Sequence, residues 1–193
     1  MLKLYITEMK DANEVRAKRK GRSPQRGSAF GVSLLEYAVA DTWGIELPEM
    51  SPPNTGKPVF VNVPDKHFSV SHSKTHVLVA LSDAPVGADL ETRRPISEKS
   101  MRAIMNGQEF RTFDFFELWC LRESVYKLNG AGNLREILRF HKDGDRIVGP
   151  DESIRYQVIR GVEGCAGAVC MEHEFELPEL IWVEIEKLCT GIL

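Results

Sequence analysis

The pattern of apolar and polar positions predicts a chain in which strands and helices alternate. Alternating or continuous apolar runs indicate strands at residues 2–7, 67–71, 76–82, 86–91, 146–148, 154–159, 165–171 and 182–185. Helical spacing indicates helices over residues 28–43, 97–105 and about 112–128, with Ser97 capping the second and Gly130 following the third. Each half of the chain therefore offers a strand, a helix and then further strands. A faint likeness between residues 75–83 and 165–173 does not by itself establish an internal duplication.

Composition is typical of a soluble globular protein. The chain has 193 residues, of which 42% are hydrophobic and 27% charged, so it can form one domain or two small ones. Its apolar run at residues 77–81 is far short of a membrane span, and its first residues do not resemble a signal peptide. We therefore expect a cytoplasmic protein with no membrane partner, whose four cysteines are reduced and mostly buried.

Charge is distributed unevenly along the chain. The net charge is −3, yet a basic arm lies within residues 16–26 and contains Arg16, Lys18, Arg19, Lys20, Arg22 and Arg26. Such an arm on a mildly acidic body predicts that one anionic ligand or partner binds near the N-terminus. A nucleic-acid-binding module is the less favoured interpretation, because the arm lacks interleaved aromatic residues.

The third predicted helix carries a charged pair within an apolar stretch. Trp119, Glu123 and Lys127 are spaced i, i+4 and i+8, so they share one helix face. A surface ion pair is the ordinary interpretation of this spacing. The apolar neighbours Leu118 and Leu121 instead favour a pair at the edge of a core or in a cleft, where each charge needs a further partner.

Two carboxylates at a strand end could supply that partner. Asp89 and Glu91 alternate with Leu90, so their side chains leave the strand on the same side. Like charges at this spacing are unfavourable unless a cation lies between them. A third carboxylate from Glu123 would complete an all-oxygen set suited to Mg²⁺. An exposed strand end remains the ordinary alternative for any single Asp-x-Glu.

Three further polar residues precede this strand. A Ser-His-Asp triad of Ser71, His72 and Asp89 lacks a nucleophile elbow, and the spacing from His72 to His76 lacks the glutamate of a zinc motif. Hydrogen bonding to a phosphate is the better use of Ser71 and His72. Lys57 lies in a turn too short for a P-loop, and it either presents one cation there or simply forms the turn.

Taken in order, these pieces resemble the motif series of the 4′-phosphopantetheinyl transferases. The length and the N-terminal half favour the Sfp (surfactin-synthetase-activating) type over the short trimeric holo-acyl-carrier-protein synthases. Each motif is weak alone, whereas all of them in this order are specific. The matching segments are Gly56-Lys57-Pro58, Phe68-Ser-Val-Ser71-His72-Ser73, Gly87-Ala-Asp89-Leu-Glu91 and Trp119-Cys-Leu-Arg-Glu123-Ser-Val-Tyr-Lys127.

The resemblance implies both a fold and a reaction. The expected fold is of the α+β class, a pseudo-twofold duplication of two similar α/β halves, residues 1–86 and 87–193. Coenzyme A would bind between the halves, and the metal site would lie in the second half. The reaction is a Mg²⁺-dependent transfer of 4′-phosphopantetheine from coenzyme A to a serine of an apo acyl or peptidyl carrier protein. Adenosine 3′,5′-bisphosphate is released, and the enzyme is expected to be a monomer.

The resemblance also assigns the metal ligands and the catalytic residues by position. Asp89, Glu91 and Glu123 would hold the metal. Lys127 would contact the reacting phosphate, and either Glu123 or a water on the metal would take the serine proton. Asp89 and Lys127 are thereby also expected to contribute to coenzyme A binding.

The remaining implied contacts concern the nucleotide part of coenzyme A. Lys57, Ser71 and His72 would contact it, including its 3′-phosphate. Arg22 and Arg26 are the candidates from the basic arm, and they would bind either the 3′-phosphate or an acidic helix of the carrier protein.

Two positions depart from the family pattern, and two other functions stay open. Arg122 stands where lysine is usual, so its role is left undecided, and Ala88 stands where a β-branched residue is preferred. One alternative is a non-catalytic relative that binds coenzyme A or a nucleotide, which the presence of all three carboxylates and Lys127 disfavours. The other is a phosphohydrolase, which would release free phosphopantetheine without a carrier protein.

Overall fold

The computed structural model describes residues 1–9, 26–51, 57–130 and 139–189, which form a mixed α and β fold. The strands are β1 (Leu2–Glu8), β2 (His67–His72), β3 (His76–Ser82), β4 (Val86–Thr92), β5 (His141–Asp143), β6 (Arg146–Val148), β7 (Arg155–Ile159), β8 (Cys165–Met171) and β9 (Leu180–Trp182). The helices are α1 (Arg26–Trp43), α2 (Glu98–Ile104), α3 (Gly107–Thr112), α4 (Phe115–Asn129) and α5 (Ile185–Cys189). The predicted α+β class is confirmed, whereas the pseudo-twofold duplication stays a prediction.

The described strands form two main sheets and one small hairpin. The first sheet has the order β2-β3-β1-β9, the second has the order β4-β8-β7, and β5 pairs with β6. Neighbouring strands are antiparallel except β1 and β9, which are parallel. Every residue of β3 is buried, which explains its continuous apolar sequence.

The two main sheets pack against each other between two helices. Helix α1 covers the outer face of the first sheet, where Phe30 and Leu34 meet Val79. The inner face of that sheet packs on the second sheet, with Leu78 and Leu90 in one apolar cluster. Helix α4 covers the outer face of the second sheet through a third cluster of buried residues. The core therefore has helix, sheet, sheet and helix layers.

Sheet membership does not strictly follow the predicted division at residue 86. Strand β9 pairs with β1 at Leu4 and Ile6, so a late part of the chain completes the first sheet. Helix α5 follows at once, and its residue Leu188 packs against the cluster that α1 covers. The two-part division of the chain stays a prediction. Strand β9 belongs to the second part by sequence but to the first sheet by its pairing with β1.

The helix ends show where local sequence signals succeed. Ser97 caps α2 as expected, since its hydroxyl accepts a hydrogen bond from the backbone N–H of Ser100. Helix α4 ends as expected at Gly130, which has a φ of 70° in the left-handed region. Its predicted start was too early, because Asp114 provides the N-cap and the short helix α3 ends at Thr112. Helix α1 begins two residues before its predicted start at residue 28.

Two serines of β2 close the free edge of β4. Because β4 pairs with β8 on one side only, the backbone groups of its other edge need partners inside the protein. Ser69 Oγ accepts from the N–H of Ala88 at 3.0 Å and donates to its carbonyl at 3.3 Å. Ser71 Oγ accepts from the N–H of Leu90 at 3.1 Å. We call Ser69 and Ser71 the serine seam, since their hydroxyl groups join the two sheets.

No helix in the described part of the chain is both long enough and apolar enough to cross a lipid bilayer.

Candidate functional site

The site forms where α4 lies close against β4. Gly87 allows this approach, because a Cβ atom at that position would lie 1.9 Å from the carbonyl oxygen of Ser124. Asp89 and Glu91 follow Gly87 on the same side of the strand, as the period of two predicts. Glu123 and Lys127 face them from the helix, since the charges of Asp89, Lys127 and Glu91 all act on the Glu123 carboxyl. The structure therefore brings together the predicted metal ligands and the predicted phosphate-binding lysine.

Asp89 is at the centre of this group, and one of its oxygens has two partners. The Lys127 ammonium donates to Asp89 Oδ1 at 2.6 Å, and the Ser71 hydroxyl donates to the same oxygen at 2.7 Å. Asp89 is 4% exposed, and the Lys127 side chain is 25% exposed. A short charge-assisted hydrogen bond of this kind holds both side chains in place.

The other oxygen of Asp89 has no hydrogen-bond partner among the described residues. Asp89 Oδ2 is buried and lacks a hydrogen bond among the described residues. The nearby Cys120 thiol donates to the carbonyl of Ala166 at 3.3 Å, and it also interacts with the Asp89 carboxylate. Burial and the charge of Asp89 raise the pKa of Cys120, which keeps the thiol protonated. An unpaired buried carboxylate oxygen is costly, so it indicates a place for a cation or another donor.

Glu123 and Glu91 are the other two carboxylates of this group, and both are half-buried. Burial raises the pKa of Glu123, the charges of Asp89 and Glu91 raise it further, and Lys127 opposes the rise. The Glu91 carboxylate lies 3.4 Å from the guanidinium of Arg94, a longer ion pair than the 2.6 Å contact between Lys127 and Asp89. A raised pKa makes the Glu123 carboxylate a stronger base than an ordinary glutamate, which suits a general base.

Lys57 lies at the other end of β4. Its ammonium donates to the carbonyl of Val86 at 2.7 Å, so it links the first half of the chain to the start of this strand. Burial lowers the pKa of Lys57 to about 8. Its side chain packs beside Gly130, at the end of α4. Lys57 therefore lies at the start of β4 with its ammonium already hydrogen bonded, and its contact to coenzyme A stays a prediction.

The other predicted contacts to coenzyme A have different positions. Ser71 is 3% exposed and its hydroxyl proton is used by Asp89. His72 is exposed at the end of β2, next to Ser71. Arg22 lies outside the described residues, and only the backbone of Arg26, at the start of α1, lies within them. Their assignments to coenzyme A stay predictions.

Comparison with known proteins identifies the relatives of this chain. No protein-family model matches it. The 4′-phosphopantetheinyl transferase Sfp of Bacillus subtilis is 29% identical over 150 residues, which are 69% of this chain and 67% of the relative. The transferase psf-1 of Bacillus pumilus is 29% identical over 119 residues, 55% of this chain and 51% of the relative. The transferase gsp of Aneurinibacillus migulanus is 37% identical over 87 residues, 40% of this chain and 36% of the relative.

This chain is similar to the Sfp-type 4′-phosphopantetheinyl transferases. The resemblance drawn from the ordered motifs is thereby confirmed, and the relatives that match carry the name of the transferase class that it implied. The matched region spans about half to two thirds of the first two relatives.

Arg122, the departure from the pattern of the Sfp-type transferases, has a structural role. It is buried in α4, and its guanidinium donates to Glu109 Oε1 at 3.0 Å and to the carbonyl of Ile104 at 3.1 Å. Burial lowers its pKa, and the facing carboxylate of Glu109 opposes that effect. Arginine here fixes the loop between α2 and α3 rather than a ligand.

The implied magnesium ion fits the residues that are present. Asp89, Glu91 and Glu123 offer oxygen donors only, which is the donor type that Mg²⁺ prefers, and Asp89 Oδ2 is buried without a partner among the described residues. The fit is not preformed: within the described ranges, no three histidine, cysteine, aspartate or glutamate side chains are arranged so as to hold a metal together. The Lys127 ammonium is the cation that neutralises Asp89 in this structure.

Two residues that matter here were not predicted. Ser69 satisfies the edge of β4, and its only sequence signal is the Ser-x-Ser spacing that places it on the same strand face as Ser71. Glu109 pairs with Arg122, and its local signal is the capping box that it forms with Asn106. Neither signal identifies the distant partner, because that contact depends on how the elements pack.

Proposed function

We propose that this protein transfers the 4′-phosphopantetheine group from coenzyme A to a serine of an apo carrier protein, in the presence of Mg²⁺. The observation that carries the proposal is the carboxylate of Asp89. One of its oxygens is bound by Lys127 and Ser71, and the other is buried and lacks a hydrogen bond among the described residues. The charges of Asp89 and Glu91 both act on the carboxyl of Glu123. The names of the relatives support the same reaction.

The side chains have distinct tasks in this proposal. Asp89, Glu91 and Glu123 hold the metal, which supplies neutralising charge to the diphosphate when it is bound. Lys127 contacts the reacting phosphate and orients it, from a position fixed by Asp89. Phosphoryl transfer depends mostly on positioning and charge neutralisation. In this proposal the three carboxylates position the metal, and the lysine together with the metal neutralises the charge of the diphosphate.

The proposed step balances without any further reactant. The serine oxygen of the carrier protein forms a bond to the phosphorus that bears pantetheine. The bond between that phosphorus and the bridging oxygen of the diphosphate breaks, and adenosine 3′,5′-bisphosphate leaves. Glu123 takes the serine proton, because burial and two neighbouring carboxylates raise its pKa above its ordinary value and so make it a stronger base.

Coenzyme A binds between the two halves in this proposal. In each half a strand and a later antiparallel hairpin give the same order, β2-β3-β1 in one and β7-β8-β4 in the other, which supports the pseudo-twofold fold. Lys57 and His72 come from the first half and lie near its junction with the second. We assign them to the nucleotide, with Arg22 and Arg26 as further candidates.

The test is the intact mass of an apo carrier protein after incubation with this protein, coenzyme A and Mg²⁺. We expect a gain of one phosphopantetheine group on an acyl or a peptidyl carrier, and no gain when EDTA is present. Asp89→Asn should abolish the gain. The matched control is Glu98→Gln, which changes an exposed glutamate paired with Arg102 on α2 and should keep the gain.

Other outcomes contradict the proposal in distinguishable ways. Binding of coenzyme A without a mass gain on either carrier would favour the non-catalytic relative. Release of free phosphopantetheine in the absence of any carrier would favour a phosphohydrolase. A mass gain that EDTA leaves unchanged would remove the metal from the proposal.

A further inference from the structure

The two hydroxyl groups of the serine seam are chemically alike but differ in one contact. Each is buried on β2 and each accepts a hydrogen bond from a backbone N–H of β4. The hydroxyl proton of Ser69 goes to the backbone carbonyl of Ala88, at 3.3 Å. The hydroxyl proton of Ser71 goes to the carboxylate of Asp89, at the shorter distance of 2.7 Å. Only Ser71 therefore connects the seam to the proposed metal site.

This contact determines which oxygen of Asp89 remains available. Ser71 and Lys127 both donate to Oδ1, from β2 and from α4 respectively. Two donors from different elements hold one oxygen in place, so the plane of the carboxylate cannot rotate freely. Oδ2 then lies on the buried side, unpaired among the described residues. Three orphaned buried side-chain atoms occur in the described residues, Thr7 Oγ1, Tyr156 OH and this one, and only this one belongs to a carboxylate.

We propose that Ser71 is a positioning residue, which holds Asp89 Oδ1 so that Oδ2 is presented to the divalent cation. The inference rests on the proposed function, because it concerns the same metal site. It also gives Ser71 a task other than the contact to coenzyme A that the sequence motif implied. A serine hydroxyl has a single proton, and that proton is already bonded to Asp89.

A hydrogen bond from Ser71 would strengthen metal binding by fixing the orientation of the Asp89 carboxylate. A partner that fixes the orientation of a ligating carboxylate reduces the freedom that the cation would otherwise have to remove on binding. The partner comes from the first sheet, whereas the ligand comes from the second. Ser71 therefore couples the packing of the two sheets to the affinity of the site.

The test is the affinity for Mn²⁺, a probe for the Mg²⁺ site, measured by electron paramagnetic resonance on the purified full chain. We expect Ser71→Ala to weaken Mn²⁺ binding by about 10–100-fold, the loss that outer partners of metal ligands usually cause. Ser69→Ala is the matched control, since it removes an equivalent seam hydroxyl without touching Asp89. It should change the affinity by less than about threefold while lowering the melting temperature as much as Ser71→Ala does.

Two further variants keep the test decisive. Ser71→Thr retains the hydroxyl and should bind Mn²⁺ nearly as well as the unmodified chain. Ser71→Cys has a weaker donor and should give an intermediate affinity, and it replaces Ser71→Ala if that variant does not fold. Equal Mn²⁺ affinities for Ser69→Ala and Ser71→Ala (or Ser71→Cys) would overturn the inference and leave the proposed function intact. Failure of the unmodified chain to bind Mn²⁺ would overturn both.

Discussion

Two buried carboxylates that contact α4 differ in how completely they are hydrogen bonded. Glu109 is 0% exposed and Asp89 is 4% exposed, so water reaches neither to a useful extent. Both oxygens of Glu109 accept hydrogen bonds, and the donors are Arg122, Arg139 and the backbone N–H groups of Asn106 and Phe140. Asp89 uses Oδ1 alone, and its second oxygen has no donor among the described residues.

This difference separates a structural carboxylate from a functional one. Burial alone would raise the pKa of Glu109, but the hydrogen bonds and the charge of Arg122 hold it below its ordinary value. A carboxylate whose two oxygens each accept two hydrogen bonds has no acceptor position left for a ligand. Glu109 instead connects α3, α4 and the chain before β5. An incompletely bonded carboxylate costs stability and persists where a ligand completes it.

The largest expected effect is the loss of transfer activity when Asp89, the incompletely hydrogen-bonded carboxylate, is substituted. Asp89→Asn keeps the shape but removes the charge that the metal and Lys127 require. We expect phosphopantetheine transfer to fall by at least about 10²–10³-fold, with a melting temperature within a few degrees of the original. Transfer rates from the intact-mass assay and thermal melts measure the two quantities. Near-normal turnover would mean that Asp89 is not a metal ligand.

Substitution of Glu109, the fully hydrogen-bonded carboxylate, should lower stability and leave metal binding unchanged. Glu109→Gln leaves the buried guanidinium of Arg122 without its counter-charge, so we expect the free energy of unfolding to fall by about 3–5 kcal/mol. Urea unfolding measures this change, with Glu98→Gln as the exposed control expected to stay within about 0.5 kcal/mol. The Mn²⁺ affinity of the folded fraction should not change. A fully stable Glu109→Gln variant would contradict the structural role.

The buried ammonium of Lys57, at the start of β4, should make the stability of the protein depend on pH. Lys57 has a pKa lowered to about 8 by burial, so the unfolded chain binds more protons than the folded one between about pH 8 and pH 10.5. Stability contributed by this position should therefore rise with pH in that window, by about 1–3 kcal/mol relative to Lys57→Met. Urea unfolding at pH 8 and pH 10 tests the sign, with the exposed Lys99→Met as a control. A constant difference between the chain and Lys57→Met would contradict it.

The smallest expected effect concerns Glu123. Its raised pKa means that the folded state binds its proton more tightly, so stability falls as pH rises through the interval between the unfolded and folded pKa values. Above that interval the full penalty applies, and Glu123→Gln should remove it. We expect a gain of less than about 1 kcal/mol in unfolding free energy together with loss of transfer. Thermal melts at pH 5 and pH 7 should show the gain mainly at the higher pH.

Local periodicity was sufficient for most of the elements and for the central residues of the site. The period of two in β4 placed Asp89 and Glu91 on one side, and the i, i+4 spacing in α4 placed Glu123 and Lys127 together. Both signals depend only on the geometry of a single element. The ordered motifs then indicated that the two elements face each other, which periodicity could not show.

Contacts between distant segments could not be predicted in the same way. The donation from Ser71 to Asp89 depends on how β2 packs on the edge of β4, and the Glu109–Arg122 pair depends on the turn between α3 and α4. Strand β9 was expected to reach Ile185, but it ends at Trp182 and Ile185 begins α5. That short strand is defined by parallel pairing with β1 rather than by a pattern of its own.

The position of β1 between β3 and β9 also has a consequence for synthesis on the ribosome. β1 emerges first among the described strands, and one of its edges is paired as soon as residues 76–82 follow. Its other edge must wait for residues 180–182, so it stays open during most of translation. An unpaired edge beside apolar residues such as Leu4 and Ile6 is prone to wrong pairing. The nascent chain should therefore need a chaperone, or slow release, more than the finished fold would suggest.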